Sequence, residues 1–272
     1  MNRLWLQRAL GTLWIVDGLL QLRPRMIGAG FVDQNVLPLM HGEPPWLKQL
    51  LGFDAHLLLW HAACADIVVG LLQLLMGVAL MNDAWSQWAT LASASWAFAV
   101  WVLGEGFGQL LTGQTGLTRG APGAALLYAA LSLGLWPRWP AARRLRYFSR
   151  IAAGLWTLEG FLWLEPGVRS QIGNALAMPR GGMFVAFGAS LILAGLFLGG
   201  SFSRRIAAFV SGIAAMVLWV GIQRLGLFWR PYATDPNSGI VIALLALAVW
   251  PGKRPGKDAL PDESGSHPNR AG

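Results

Sequence analysis

The chain has 272 residues, 55% hydrophobic and 12% charged, with 15 Trp and a formal net charge of +8. Soluble domains are about 25% charged, so too little polar surface is present to coat a water-soluble ball; a soluble enzyme, a disordered chain and a nucleic-acid-binding protein are all excluded. The single cysteine, Cys64, also excludes an intramolecular disulfide and a CxxC redox motif. What remains is an all-α integral membrane protein whose first partner is the lipid bilayer and which has no nucleic-acid partner.

A membrane span needs roughly 20 mostly apolar residues, and lipid offers no partner to an open backbone, so each span must be a helix. Eight stretches qualify: 4–22, 55–81, 84–111, 121–137, 147–164, 182–200, 204–228 and 238–251. The first follows Arg3 and Arg8 as a signal peptide would. It carries Asp17, lacks a small-residue cleavage site and recurs later in the chain, so it reads as a retained helix. The last is short and calls for a thinned or tilted fit.

With the N-terminus inside, 13 of the 21 Lys and Arg fall on the inner side, and the densest run, WPRWPAARRLRYFSR, lies between spans four and five. Basic loops stay in the cytoplasm. The expected location is therefore the plasma (cytoplasmic) membrane, the cell inner membrane, with both termini cytoplasmic. Residues 252–272, rich in Pro, Gly and charge, read as a disordered cytoplasmic tail.

The chain also repeats itself. RALGTLWIVDGLLQLRP at 8–24 matches RIAAGLWTLEGFLWLEP at 150–166 at an offset of 142, which sets Asp17 on Glu159 and Gly18 on Gly160. Gly70 and Gly77 fall on Gly188 and Gly195, and Trp101 on Trp219, at an offset of 118. Trp136-Pro137 falls on Trp250-Pro251 at 114. Offsets that only shrink are what a duplication with deletions in its second copy gives. The domains are thus 1–137, a first four-helix repeat with a longer outer interfacial segment, and 147–251, a second. An even number of spans makes the copies parallel. Two readings stay open for the outer segment, 25–54: amphipathic pieces dipping Trp46, Leu50 and Leu51 into the interface, or an ordinary packed loop.

A four-helix unit opening R-A-L-G-x-L-W-I-V-D-G-L-L-Q-L resembles the DoxX/DoxD-like group of bacterial and archaeal membrane proteins. GEGFGQLLTG at 104–113 with GAPGAALLYA at 120–129 resembles a tandem-unit branch of that group. The resemblance implies a membrane subunit of a quinone-linked redox or respiratory system, as in thiosulfate:quinone oxidoreductase. Quinone is then the candidate cofactor and a redox enzyme the candidate partner. No haem, flavin or iron–sulfur attachment motif is present.

Ionisable residues inside spans are costly and are functional candidates by default. Asp17 and Gln21 share a helix face; Asp66, Gly70, Gln73 and Gly77 form a polar and small stripe, with Asp66 about 16 Å into the second span at 1.5 Å per residue; Glu105 lies in the outer half of the third span. Asp17, Gln21, Asp66, Gln73 and Glu105 are the candidate pocket, with His56, His61 and Glu159 secondary. His61 and Cys64 are three apart, but a metal needs more ligands at recognisable spacing, so no metal is expected. In the second copy Gln21 becomes Trp163, His61 Pro179, Cys64 Gly182, Asp66 Phe184 and Glu105 Gln223, which leaves any site in the first copy. Against the site stands a packing role, in which Asp17 and Glu159 pair with Arg23, Arg224 or backbone. Gly104 and Gly108 read as a helix-packing pair. Catalysis itself is undetermined; the first expectation is the redox or respiratory subunit, with a small-molecule or ion transporter and a non-catalytic scaffold as the alternatives.

Overall fold

The computed structural model describes residues 2–112, 120–166, 188–193, 195 and 204–250. Among them there is no strand: the protein is all-α. Its longer helices are α1 (Arg3–Gln21), α2 (Pro45–Trp60), α3 (Ala62–Met81), α4 (Ser86–Leu103), α5 (Ala124–Gly134), α6 (Ala141–Leu164), α7 (Arg204–Val217) and α8 (Ser238–Val249). The tail at 252–272, most of the sixth predicted span, and Pro179, Gly182 and Phe184 lie outside the described residues.

The stretch 55–81 is not one helix. The chain breaks at His61 (φ −136°, ψ 52°), which ends α2 and begins α3. Asp66 is therefore the fifth residue of α3, about 6 Å from its start at 1.5 Å per residue, rather than deep within a span. Ahead of α2, short turns run from Ala29 to Met40, and Val32 and Val36 bury themselves against Ala55. The outer segment is thus partly packed and partly open. Trp46 is 54% exposed, whereas Leu51 is fully buried and cannot dip into an interface.

Among the described residues two helices are long and apolar enough to cross a membrane by length and composition, Ala62–Met81 and Arg205–Ile222. Ala124–Gly134 and Ser238–Val249 are apolar but short. Two features reduce the others. α1 and α6 carry arginines on their first turns, and α4 is diluted by Ser and Thr. α5 and α8 are each entered through a non-helical segment that takes up length a straight helix would have used.

Small residues let helix pairs approach closely. A β-carbon added to Gly77 of α3 would stand 2.7 Å from the Gly11 carbonyl oxygen and 2.6 Å from Ile15 Cγ1 in α1. One added to Gly18 would stand 2.8 Å from the Gly70 oxygen. The second half has the same contacts: Gly160 against the Gly188 oxygen at 2.7 Å, and Gly195 against the Ala153 oxygen at 2.8 Å and Thr157 Oγ1 at 2.6 Å. Helices α5 and α8 touch each other at the centre, and α8 is buried on nearly every side.

The exits from α4 and α7 also share one geometry. Residues 106–109 and 224–227 all have φ between 51° and 72°, a four-residue left-handed turn in each place. Left-handed backbone disfavours side chains, and Gly108 and Gly226 occupy the tightest points, where a β-carbon would strike the Pro122 and Pro236 carbonyls. Gly104 and Gly108 are therefore not a helix-packing pair, because Gly108 has left the helix. Trp101 Nε1 donates to the Pro122 oxygen at 2.9 Å, and Trp219 Nε1 to the Pro236 oxygen at 2.7 Å.

Candidate functional site: a carboxylate-lined cavity

A cavity of about 750 Å³ lies between α1, α3, α4 and α5. Its walls are aromatic and apolar, with Trp14 from α1, Trp96 from α4 and Tyr128 from α5. The segment 31–41 and α2 close one side with Phe31, Asn35, His41 and Asp54. The loop entering α8 reaches in from the far end of the chain with Thr234, Asp235 and Asn237.

Local structure fixes each polar group. Trp14 Nε1 donates to Ser93 Oγ at 2.7 Å, and Ser93 in turn pairs with Ser132 at 2.7 Å, which ties α1, α4 and α5 together. The Trp14 ring meets Tyr128 edge-on at 4.9 Å. Glu105, just past α4, accepts the Ala125 N–H with Oε1 at 3.0 Å, capping the first turn of α5. A carboxylate there suits the positive end of the helix dipole. Its Oε2 is buried without a hydrogen-bond partner, as are Asp17 Oδ1, Gln73 Oε1 and the Trp96 indole N–H. Asp17, 3% exposed, sits beside the Tyr128 hydroxyl.

Asp235 completes the group. Its Oδ1 accepts the Asn237 N–H at 2.6 Å and its Oδ2 the Thr234 hydroxyl at 2.8 Å. It lies within electrostatic range of Asp17, Glu105 and Tyr128. Burial pushes the Asp235 carboxyl above the usual carboxylate range, against those two hydrogen bonds. The unfolded chain loses this proton first as pH rises. Stability should therefore fall with rising pH between the ordinary Asp range and the raised folded value. Thermal melting across that window should show the decline, and Asp235→Asn should flatten it; an unchanged slope would remove Asp235 as its cause.

The structure brings Asp17, Gln21, Gln73 and Glu105 to one cavity. Asp66 stands behind it: Oδ1 accepts Gln21 Nε2 at 3.2 Å and Oδ2 the Gly28 N–H at 2.8 Å, so it holds Gln21 and the chain leaving α1. His56 lies on a separate shallow pocket with Leu59 and Trp60. His61 stacks on Trp60 at the helix break. Glu159 is buried in α6 with both oxygens lacking a hydrogen-bond partner, away from the cavity. Arg23, a proposed partner for Asp17, instead donates to the Arg230 carbonyl at 3.0 Å.

Asp235, Tyr128, Asp54 and His41 were not singled out by sequence reasoning. For Asp235 a signal existed: D-P-N before an apolar run is a turn that starts a helix. For Tyr128 it was a lone phenol inside an otherwise apolar stretch. Asp54 and His41 gave none, because only the fold of segment 25–54 brings them to the cavity.

In the second half the place of Glu105 is taken by Gln223. Its Oε1 accepts the Gly239 N–H at 2.9 Å and its Nε2 donates to Ser238 Oγ at 2.8 Å. Comparison with known proteins returns no matching family model, no matching curated protein and no matching solved structure.

Proposed function

We propose that the chain is a multi-pass plasma-membrane protein of about eight helices, in two parallel four-helix units with both termini cytoplasmic. We further propose that it carries a small molecule bound in the cavity that its first unit and the loop entering α8 line together, and exchanges a proton there. One observation carries the site: Asp17, Glu105 and Asp235 come from three separate elements to one cavity, where Asp17 Oδ1 and Glu105 Oε2 are buried without a hydrogen-bond partner. Buried polar groups without partners are rare in native structures, and each calls for an explanation. A ligand that donates hydrogen bonds or charge supplies one. The repeated glycine contacts and the repeated left-handed turn support the duplication.

The quinone-linked redox subunit implied by the DoxX/DoxD-like resemblance is the second reading. What favours it is the unpaired Trp96 indole N–H and the Tyr128 hydroxyl, donors that suit a quinone carbonyl. Purification from native membrane, with mass spectrometry of bound small molecules and proteins, separates the two. A non-quinone ligand that is lost in Asp17→Asn is expected. Quinone together with a redox enzyme would favour the second reading, and protein partners with no small molecule would favour a scaffold.

The topology has its own test. On a Cys64→Ala background, cysteines at Asp83 and Ala141 should label only after permeabilisation, and one at Arg230 should label from outside. All three positions are exposed. External labelling at Ala141 would reverse the orientation.

A further inference from the structure

The cavity is one-sided in its charge. Among the described residues Asp17, Asp54, Glu105 and Asp235 line it, His41 and Tyr128 are the other titratable groups, and no Lys or Arg is among them. A buried carboxyl is costly unless a cation or donors meet it. Here Asp17 Oδ1 and Glu105 Oε2 accept no hydrogen bond, although the Tyr128 hydroxyl stands beside Asp17, and Gln73, 7% exposed, adds a third unpaired acceptor to the same cavity. The unsatisfied acceptors therefore ask for positive charge and N–H or O–H donors, while the Trp96 indole N–H and Asn35 Nδ2 are unpaired donors in the same cavity.

The remaining walls narrow the class. Trp14, Trp96, Tyr128 and Phe31 present aromatic surface around the acids. Aromatic faces attract cations, and the attraction grows when the cation is desolvated. An inorganic ion would need several ligands converging on one point. Among the described residues no three His, Cys, Asp or Glu side chains stand close enough for that. The carboxyls are instead spread around a space of about 750 Å³, which is the size of an organic ligand site.

We propose that the ligand of this cavity is an organic monocation with an apolar or aromatic body. Its charge lies among Asp17, Glu105 and Asp235, and its body lies against Trp14, Trp96 and Tyr128. This rests on the cavity being a small-molecule site. The cation competes with protons for the same carboxylate oxygens, so entry of one positive charge releases a proton to water and no electron moves. Movement of cation one way and proton the other is the transport cycle this linkage permits.

The test uses the purified full chain in lipid nanodiscs and reads tryptophan fluorescence and calorimetry. Tetraphenylphosphonium and tetraphenylborate share a shape and differ in sign. The first should bind saturably and the second should not. Raising the pH by one unit should tighten binding by up to about tenfold in the window where one proton is displaced. Asp17→Asn and Glu105→Gln should each weaken it by about tenfold or more, with melting temperature recorded to show that each variant is folded. Should Asp17→Asn fail to fold, Glu105→Gln and the pH series still decide. Equal binding of the borate, or phosphonium binding indifferent to pH and to both variants, overturns the cation assignment. Decylubiquinone separates the two levels: binding of this neutral probe in place of the phosphonium overturns the cation and leaves the cavity as a site. Failure of all three probes to bind removes both.

Discussion

Gly77→Leu should leave little or no folded protein in detergent, read as loss of the monodisperse peak in size-exclusion chromatography. A side chain there has nowhere to go, because its first carbon already meets the Gly11 carbonyl oxygen at 2.7 Å and the Ile15 nitrogen at 2.9 Å. Those are backbone atoms of α1, so relief requires the whole helix to move. Overpacking of well-packed sites costs about 1–3 kcal/mol when side chains can yield, and more when they cannot. α1 would also withdraw Trp14 and Asp17 from the cavity. Gly195→Leu should behave alike, since it meets the Ala153 oxygen and Thr157. Gly154 is the control: nothing lies within 4 Å of its added β-carbon. Gly154→Ala should be tolerated, or should stabilise by about 0.5–1 kcal/mol through helix propensity. Normal folding of Gly77→Leu would mean that the α1–α3 contact is looser than described.

Asp17→Asn should fold and lose function. The amide keeps the shape of the carboxyl and can still meet the Tyr128 hydroxyl, but it neither titrates nor carries charge. Intramembrane hydrogen bonds average only about 0.6 kcal/mol, so a packing role would survive the change in both stability and activity. Glu105→Gln has an internal precedent in Gln223. The precedent is incomplete, and the difference is informative. Gln223 Nε2 donates to Ser238 Oγ, whereas the residue at that place in the first half is Ala124. The single variant therefore leaves an amide N–H facing the cavity, at a cost of about 1–3 kcal/mol if it stays unpaired. Glu105→Gln with Ala124→Ser should recover that stability without recovering activity. An unchanged phenotype for Asp17→Asn and Glu105→Gln, in cells that need the protein, would end the proton-exchange reading.

What the sequence made legible was whatever repeats or carries a charge where charge is costly. The glycine stripe of α3 could be read because small residues at spacings of 4, 3 and 4 have no better use than close contact. Asp17, Gln21, Gln73 and Glu105 could be read because polar atoms in an apolar run need a reason. The break at His61 could not, since HLLLWHAACADIVV is apolar on both sides and holds no Pro or Gly to mark a stop. That one kink moved Asp66 from mid-helix to the first turns of α3 and turned a supposed site residue into the anchor of Gln21 and Gly28. Asp235 stayed hidden for a different reason. Nothing local says that a loop more than two hundred residues from Asp17 ends beside it, because that is decided by the packing of α8 against α5.

The reach of that loop also sets the order in which the site comes into being. A chain emerging from the ribosome delivers Asp17 and Glu105 early and Asp235 almost last, after α7 has been made. Until the final hairpin docks, the cavity has three of its four carboxyls, Asp17, Asp54 and Glu105, and an open flank. If the proposed ligand binds there, a nascent chain stalled before α8 should hold none.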